Sequence, residues 1–241
     1  HRGAGLLAPE NTLAAFRHGL AQAYRMFECD VRLSKDGQLF LLHDDRLERT
    51  TSGTGVAADC PWPALARLDA GSWHSATHTG EPLLQLDELL AFCQQAGCAL
   101  NIELKASPGQ EERTGRAVAA SVVRQWTTQP WPLLSSFSVA ALAAAAAQAP
   151  QLPRALLAER CSATALAAAL ELGCVAMVLE AGALTEAEVA TVHAAGLAVL
   201  CYTVNECEVA ARLLDWAVEG IITDRVDVFD PAAAACCGGR R

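Results

Sequence analysis

Short apolar segments alternate with amphipathic helical patterns along almost the whole chain of 241 residues. The apolar segments predict strands at 26–33, 99–104, 133–137, 154–158, 175–179, 198–204 and 220–223. Between them, an apolar period of 3.6 residues predicts helices at 12–22, 86–96, 112–127, 139–148, 163–172, 186–195 and 206–216. This alternation is typical of α/β folds with parallel strands, rather than of sandwiches or helical bundles.

Seven strand and helix units predict a TIM-type (β/α)8 barrel that occupies 1–241 as a single domain. We expect the remaining strand, the first of the barrel, to lie before His1. A doubly wound open sheet is the alternative, but none of the predicted strands is followed by a Gly-x-Gly-x-x-Gly turn.

One segment, 44–82, interrupts this alternation. It contains Trp62, Trp73, several prolines and a run of Thr, Ser and Gly, and it is longer than an ordinary loop between strand and helix. Long insertions on the catalytic face of a barrel usually shape the substrate pocket. We therefore predict a small inserted subdomain after the second strand, which caps the site.

Polar side chains follow the predicted strands. Those at or just beyond strand ends are Glu28, Asp30, Glu103, Lys105, Asn205 and Asp224. Glu28 and Asp30 alternate with apolar neighbours, so both side chains point to the same side of their strand. Because the carboxyl ends of barrel strands converge on one face, we expect these residues to form one site.

The acidic residues Glu28, Asp30 and Glu103 match an all-oxygen site for one hard divalent cation, Mg²⁺ or Ca²⁺. The lack of clustered Cys and His ligands disfavours Zn²⁺. His1 and His43 each lie beside charged residues, in His1-Arg2 and His43-Asp44, and imidazoles transfer protons near neutral pH. The combination predicts a metal-assisted reaction on a phosphate ester.

The overall charge restricts the partners. Eighteen basic against twenty-seven acidic residues give a net charge of −9, with no basic stretch suited to nucleic acid. An anionic substrate would therefore need a bound cation and a few placed basic groups, for which Arg2 and Lys105 are the candidates. We expect a small-molecule substrate.

Neither a membrane span nor a signal peptide is evident, which predicts a cytoplasmic protein without membrane insertion. Apolar helix faces are compatible with a homodimer. Cysteines within predicted strands and helices are expected to be reduced core thiols; these are Cys29, Cys93, Cys98, Cys174 and Cys201. Cys236 and Cys237 are expected in a C-terminal tail.

Several motifs resemble, in order and spacing, those of the glycerophosphodiester phosphodiesterase family. They are His1-Arg2-Gly3, Pro9-Glu10-Asn11-Thr12, Glu28-x-Asp30, His43-Asp44, Glu103-x-Lys105 and Gly220-Ile221-Ile222-Thr223-Asp224. The resemblance covers nearly the whole chain. The segments 33–37, 42–45 and 69–73 further resemble the cytosolic branch of Gram-negative bacteria that serves glycerol-phosphate uptake.

The resemblance implies metal-dependent hydrolysis of glycerophosphodiesters to sn-glycerol 3-phosphate and an alcohol. It implies His1 and His43 as general acid and base, and Arg2 and Lys105 as phosphate contacts. It also implies the three acidic residues named above as ligands of one cation. Tyr202 stands where many members have Trp, and it is expected to form an aromatic wall beside the substrate.

Three alternatives stay open at this point. A phospholipase D or a phosphoinositide-specific lyase on a similar barrel would also pair two histidines with acidic ligands. A metabolite-binding barrel would keep the pocket without the chemistry. The nucleophile is either water or the neighbouring glycerol hydroxyl, which would give a cyclic phosphate.

Overall fold

The structure, a computed structural model, describes residues 1–231. Its strands are β1 (Met26–Leu33), β2 (Leu39–Leu41), β3 (Ala99–Leu104), β4 (Leu133–Ser136), β5 (Arg154–Ala158), β6 (Ala176–Glu180), β7 (Ala198–Tyr202) and β8 (Gly220–Ile221). Its α-helices are α1 (Leu13–Ala21), α2 (Trp62–Leu65), α3 (Leu86–Ala96), α4 (Glu111–Gln125), α5 (Val139–Gln148), α6 (Ala163–Glu171), α7 (Glu186–Ala194) and α8 (Cys207–Asp215).

The strands form one sheet in the order β2-β1-β3-β4-β5-β6-β7-β8. From β1 through β3 to β8 every neighbouring pair is parallel, whereas β2 pairs antiparallel with the end of β1. Helices separate successive parallel strands, as in a TIM barrel. The predicted α/β barrel fold is confirmed.

Burial explains why the strands are continuous apolar runs. Seven of the eight residues of β1 are buried, because helices cover one side of the sheet and the barrel interior lies on the other. In the main core, the rings of Phe16 on α1 and Phe27 on β1 meet edge to face with centroids 5.6 Å apart. Side chains cap the helix starts: Thr12 caps α1, and Thr185 with Glu188 forms a capping box at the start of α7.

A cavity of about 540 Å³ lies between β8 and the first residues of β1, lined by Tyr24, Met26, Leu200 and Ile221. The expectation that a further barrel strand precedes His1 stays a prediction.

The segment 44–82 is folded. It contains α2 and two 3-10 turns, Ala57–Asp59 and Ala76–His78. Four of its apolar side chains, those of Leu47, Ala57, Leu65 and Ala70, are buried in a second, smaller core. Phe40 of β2 and the flanking residues Leu42 and Leu83 complete this core. Asp69 holds two parts of the segment together. It accepts hydrogen bonds from the backbone N–H groups of Gly71, Ser72 and Gly80, each at 2.8 Å.

The seven predicted strands and seven predicted helices are all present. Their bounds differ by up to two residues, and sequence periodicity missed the short elements β2 and α2. The five core cysteines predicted to be reduced are free thiols. The tail with Cys236 and Cys237 lies outside the described residues. None of the helices within 1–231 combines the length and the apolar character needed to cross a membrane.

Candidate active site

A cavity of about 560 Å³ opens at the carboxyl ends of the parallel strands. Seven of the eight predicted site residues line it; they are His1, Arg2, Glu28, His43, Glu103, Lys105 and Tyr202. The eighth, Asp30, lies beneath the cavity floor and is 1% exposed. Residues far apart in the chain meet here because strand ends of a barrel converge on one face.

The three acidic side chains predicted as metal ligands are close together. One carboxylate oxygen from each of Glu28, Asp30 and Glu103 lies within 4.8 Å of the other two. The sheet register produces this, since Asp30 on β1 lies opposite Glu103 on β3. Glu28 Oε1 and Asp30 Oδ1 are buried without a hydrogen-bond partner. Buried carboxylate oxygens with free lone pairs are suitable ligands for a hard divalent cation.

The electrostatics of the cluster also favour a cation. Burial, together with the charge of Asp30, raises the pKa of Glu28 to about 7. The same two causes raise the pKa of Glu103 to about 7. Burial opposes ionisation of Asp30 as well, but Arg2 and Lys105 hold its pKa below the ordinary value. Carboxylates that repel one another at such short range are stabilised by a shared positive charge.

Two basic side chains border the acidic cluster. Lys105 Nζ lies 2.8 Å from a Glu103 oxygen and 3.7 Å from Asp30 Oδ1. Arg2 Nε lies 3.3 Å from Asp30 Oδ2, and Arg2 Nη1 donates to Glu10 Oε1 at 2.9 Å. Because both residues also line the cavity, they bring positive charge to a site in a protein of net negative charge.

Asn11 is a site residue that sequence reasoning missed. Its amide donates to Asp30 Oδ2 at 2.8 Å, and its carbonyl oxygen accepts from the Asp30 backbone N–H at 3.2 Å. The neighbouring residue Thr12, and not Asn11, caps α1. The position of Asn11 in the Pro9-Glu10-Asn11-Thr12 motif was the only available signal.

His1 is held by a loop from the other end of the chain. Its Nδ1 lies 2.6 Å from Asp224 Oδ1, and Asn205 donates to the second Asp224 oxygen at 3.1 Å. Gly5, with φ of +56°, packs so tightly on the Asp224 backbone that a Cβ at this position would overlap it. Burial lowers the pKa of His1, but the Asp224 hydrogen bond and the nearby Glu28 charge outweigh it and raise the pKa.

His43 has a similar carboxylate partner. Its Nδ1 lies 2.7 Å from Asp44 Oδ1, and Arg49 donates to both Asp44 and Glu10. Burial is the main cause that lowers the pKa of His43. In both histidines, therefore, Nδ1 contacts a carboxylate and Nε2 is the other ring nitrogen. Both side chains line the cavity.

The barrel and the groups at its strand ends define an enzyme whose site suits an anionic substrate. A phosphodiesterase of Oleispira antarctica, whose structure holds the product sn-glycerol-3-phosphate, is 33% identical with a TM-score of 0.89. The alignment covers 93% of this chain and 91% of that one. The glycerophosphodiester phosphodiesterase of Agrobacterium tumefaciens is 27% identical with a TM-score of 0.79, covering 94% and 95%.

Sequence relatives agree with these structures. The glycerophosphodiester phosphodiesterase of Bacillus subtilis is 31% identical over 247 residues, covering 95% of this chain and 83% of that protein. The Bacillus subtilis protein YhdW is 32% identical over 235 residues, covering 94% and 93%. The profile of the Glycerophosphoryl diester phosphodiesterase family matches residues 1–228. The chain belongs to this family.

Proposed function

We propose that this enzyme hydrolyses glycerophosphodiesters to sn-glycerol 3-phosphate and an alcohol. One observation carries the proposal: two histidines, each with Nδ1 on a carboxylate, line the same cavity as two of three clustered acidic side chains. The product in the Oleispira antarctica structure supports the same substrate class. The expected small-molecule substrate agrees with a cavity of about 560 Å³.

We assign His1 and His43 to the two proton transfers. One imidazole takes the proton of the nucleophile as its oxygen bonds to phosphorus, and the other gives a proton to the departing alcohol as its P–O bond breaks. The carboxylates of Asp224 and Asp44 fix the ring orientations and stabilise the protonated imidazole. Trapping of a cyclic phosphate at slow turnover would identify the glycerol hydroxyl, rather than water, as the nucleophile.

We assign Glu28, Asp30 and Glu103 as ligands of one divalent cation, Mg²⁺ or Ca²⁺. When bound, the cation supplies positive charge that offsets the anionic phosphate. Arg2 and Lys105, which line the cavity, are assigned as contacts of the phosphate oxygens. Tyr202 is assigned to an aromatic wall of the same cavity.

The segment 44–82 is proposed as a cap that orients His43. Its residues Asp44 and Arg49 connect the imidazole to Glu10 in the N-terminal loop. The cavity lining within 1–231 comes from outside this segment. The cap, the homodimer, the cytoplasmic location and the Gram-negative branch stay predictions.

A substrate panel tests the proposed function. Glycerophosphocholine, glycerophosphoethanolamine and a phospholipid are each incubated with the protein, with and without EDTA, and glycerol 3-phosphate is measured. The proposal predicts this product from the two glycerophosphodiesters only. Cleavage of the phospholipid alone would instead favour a phospholipase, and binding without any product would favour a metabolite-binding barrel.

A further inference from the structure

The cavity has a second half, which the catalytic residues do not occupy. The ends of four successive strands, β4 to β7, each contribute one side chain to it; these are Phe137, Glu159, Glu180 and Tyr202. Glu180 and Tyr202 are direct neighbours in the β6–β7 register. Ala158 and Leu179 are paired in the β5–β6 register, which places Glu159 beside Glu180. Two carboxylates and an aromatic ring therefore lie side by side.

The charge of this half is negative. Glu180 is fixed because its carboxylate oxygens accept from the backbone N–H groups of Gly182 at 2.9 Å and Ala183 at 3.0 Å. Among residues 1–231, neither Glu159 nor Glu180 forms an ion pair. Two bases border this half. Arg160 pairs with Glu188 at 3.1 Å, and Lys105 Nζ, which pairs with Glu103, lies 5.9 Å from the centroid of the Phe137 ring.

Two aromatic rings complete this half. The Phe137 and Tyr202 rings meet edge to face with centroids 6.0 Å apart, and Phe137 is 48% exposed. Burial first, and then the charges of Glu159 and Glu180, raise the pKa of Tyr202 to about 12.

A buried polar atom marks the junction between the two halves. Ser135 lies opposite Glu103 in the β3–β4 register and lines the cavity. Its side chain is fully buried, and its hydroxyl has no hydrogen-bond partner within the described residues. A buried hydroxyl rarely stays unpaired, so this one indicates that a polar atom, of a water molecule or of a ligand, reaches the junction.

We propose that this half binds the head-group alcohol of the substrate and selects one that carries a positive charge, an ammonium or a trimethylammonium group. The inference rests on the proposed function, since it takes the phosphate to lie on the side of Arg2 and Lys105. A phosphate there directs one ester arm toward Glu159, Glu180 and Tyr202. Aromatic faces and carboxylates together attract organic cations, whereas a neutral polyol gains only hydrogen bonds.

The experiment measures kcat/KM for glycerophosphocholine and for glycerophosphoglycerol. The inference predicts that the wild-type protein prefers the choline ester, and that Glu159→Gln lowers the ratio of the two values by roughly three- to tenfold. Glu180→Gln is expected to act in the same direction. Glu186→Gln, an exposed acid in the first turn of α7, is the matched control and leaves the ratio unchanged.

The failures are distinguishable. Equal hydrolysis of both esters, or an unchanged ratio in both Gln variants, would overturn the head-group inference while the proposed function stands. A preference for the glycerol ester that the Gln variants reduce would also overturn it, because the carboxylates would then serve as acceptors for hydroxyl groups. Hydrolysis of neither ester would refute the proposed function itself.

Discussion

Asp224 Oδ1 lies 2.6 Å from Nδ1 of His1, although the two residues are 223 positions apart in the chain. The contact joins the loop after β8 to the N-terminal loop. Asn205 strengthens it, since its carbonyl oxygen accepts from the Asp224 backbone N–H at 2.8 Å. The two ends of the described barrel thus meet at one imidazole.

The Asp224 carboxylate can be tested with Asp224→Asn. The amide keeps the shape but no longer stabilises a protonated His1, so we expect kcat to fall by about tenfold to hundredfold, which is less than the roughly 10²–10⁴-fold that a complete acid–base group supplies. The melting temperature should change little. Asp227→Asn, which removes an exposed partner of Arg225, serves as control. A wild-type kcat in the Asp224 variant would show that this carboxylate has no part in proton transfer.

His43→Ala removes one of the two proposed proton-transfer groups. We expect kcat to fall by about 10²–10⁴-fold with the fold intact, as measured by circular dichroism. The matched control is His193→Ala, because His193 lies on α7 and pairs with Glu219 away from the cavity. Activity near the wild-type value would refute the role assigned to His43.

Glu28→Gln tests the metal site without relying on turnover. Replacing a charged ligand by an amide should weaken binding of Mg²⁺ or Ca²⁺ by roughly tenfold or more, as measured by isothermal titration calorimetry. Glu112→Gln removes an exposed acid that pairs with Arg116 on α4, and should leave metal affinity unchanged. Equal affinity in both variants would indicate that Glu28 serves only the hydrogen bond from the Arg2 backbone.

The inserted segment should loosen in acid through Asp69. Hydrogen bonds from Ser72 and from three backbone N–H groups hold the pKa of Asp69 well below its usual value. The carboxylate therefore stabilises the fold fully above the ordinary aspartate pKa of about 3.9, and this contribution is lost as pH falls below it. The protection factors of the Gly71 and Gly80 amides, which correct for the intrinsic pH dependence of hydrogen exchange, should fall below about pH 4. In Asp69→Ala these amides should exchange fast at neutral pH as well; slow exchange there would contradict the assignment.

The fold could be predicted because parallel strands covered on both sides must be continuous apolar runs, and such runs are visible in the sequence. The strand β2 could not, since Leu39–Leu41 is too short to show a period and its pairing with β1 is tertiary. The ends of strands could not be predicted from the sequence either. Residues 198–204 form one apolar run in the sequence, but the strand ends at Tyr202.

The residues of the candidate site could be predicted from the sequence where they belong to recognisable motifs. Glu28, Asp30 and Glu103 alternate with apolar residues, and strand geometry then requires that they converge. Asn11 was not predicted as a site residue, because its partner Asp30 is 19 positions away in the chain. An asparagine before a helix normally suggests a helix cap. Glu159 and Glu180 were not predicted as site residues, because single acidic residues at strand ends have no distinctive spacing in the sequence. Only the sheet register brings them together.

The most direct test of the central claim is glycerol 3-phosphate release from glycerophosphocholine by chelator-treated protein, before and after a divalent cation is restored. The account predicts no product after chelation, recovery of the rate on addition of Mg²⁺ or Ca²⁺, and no such recovery in Asp30→Asn. An undiminished rate in the presence of EDTA would contradict it.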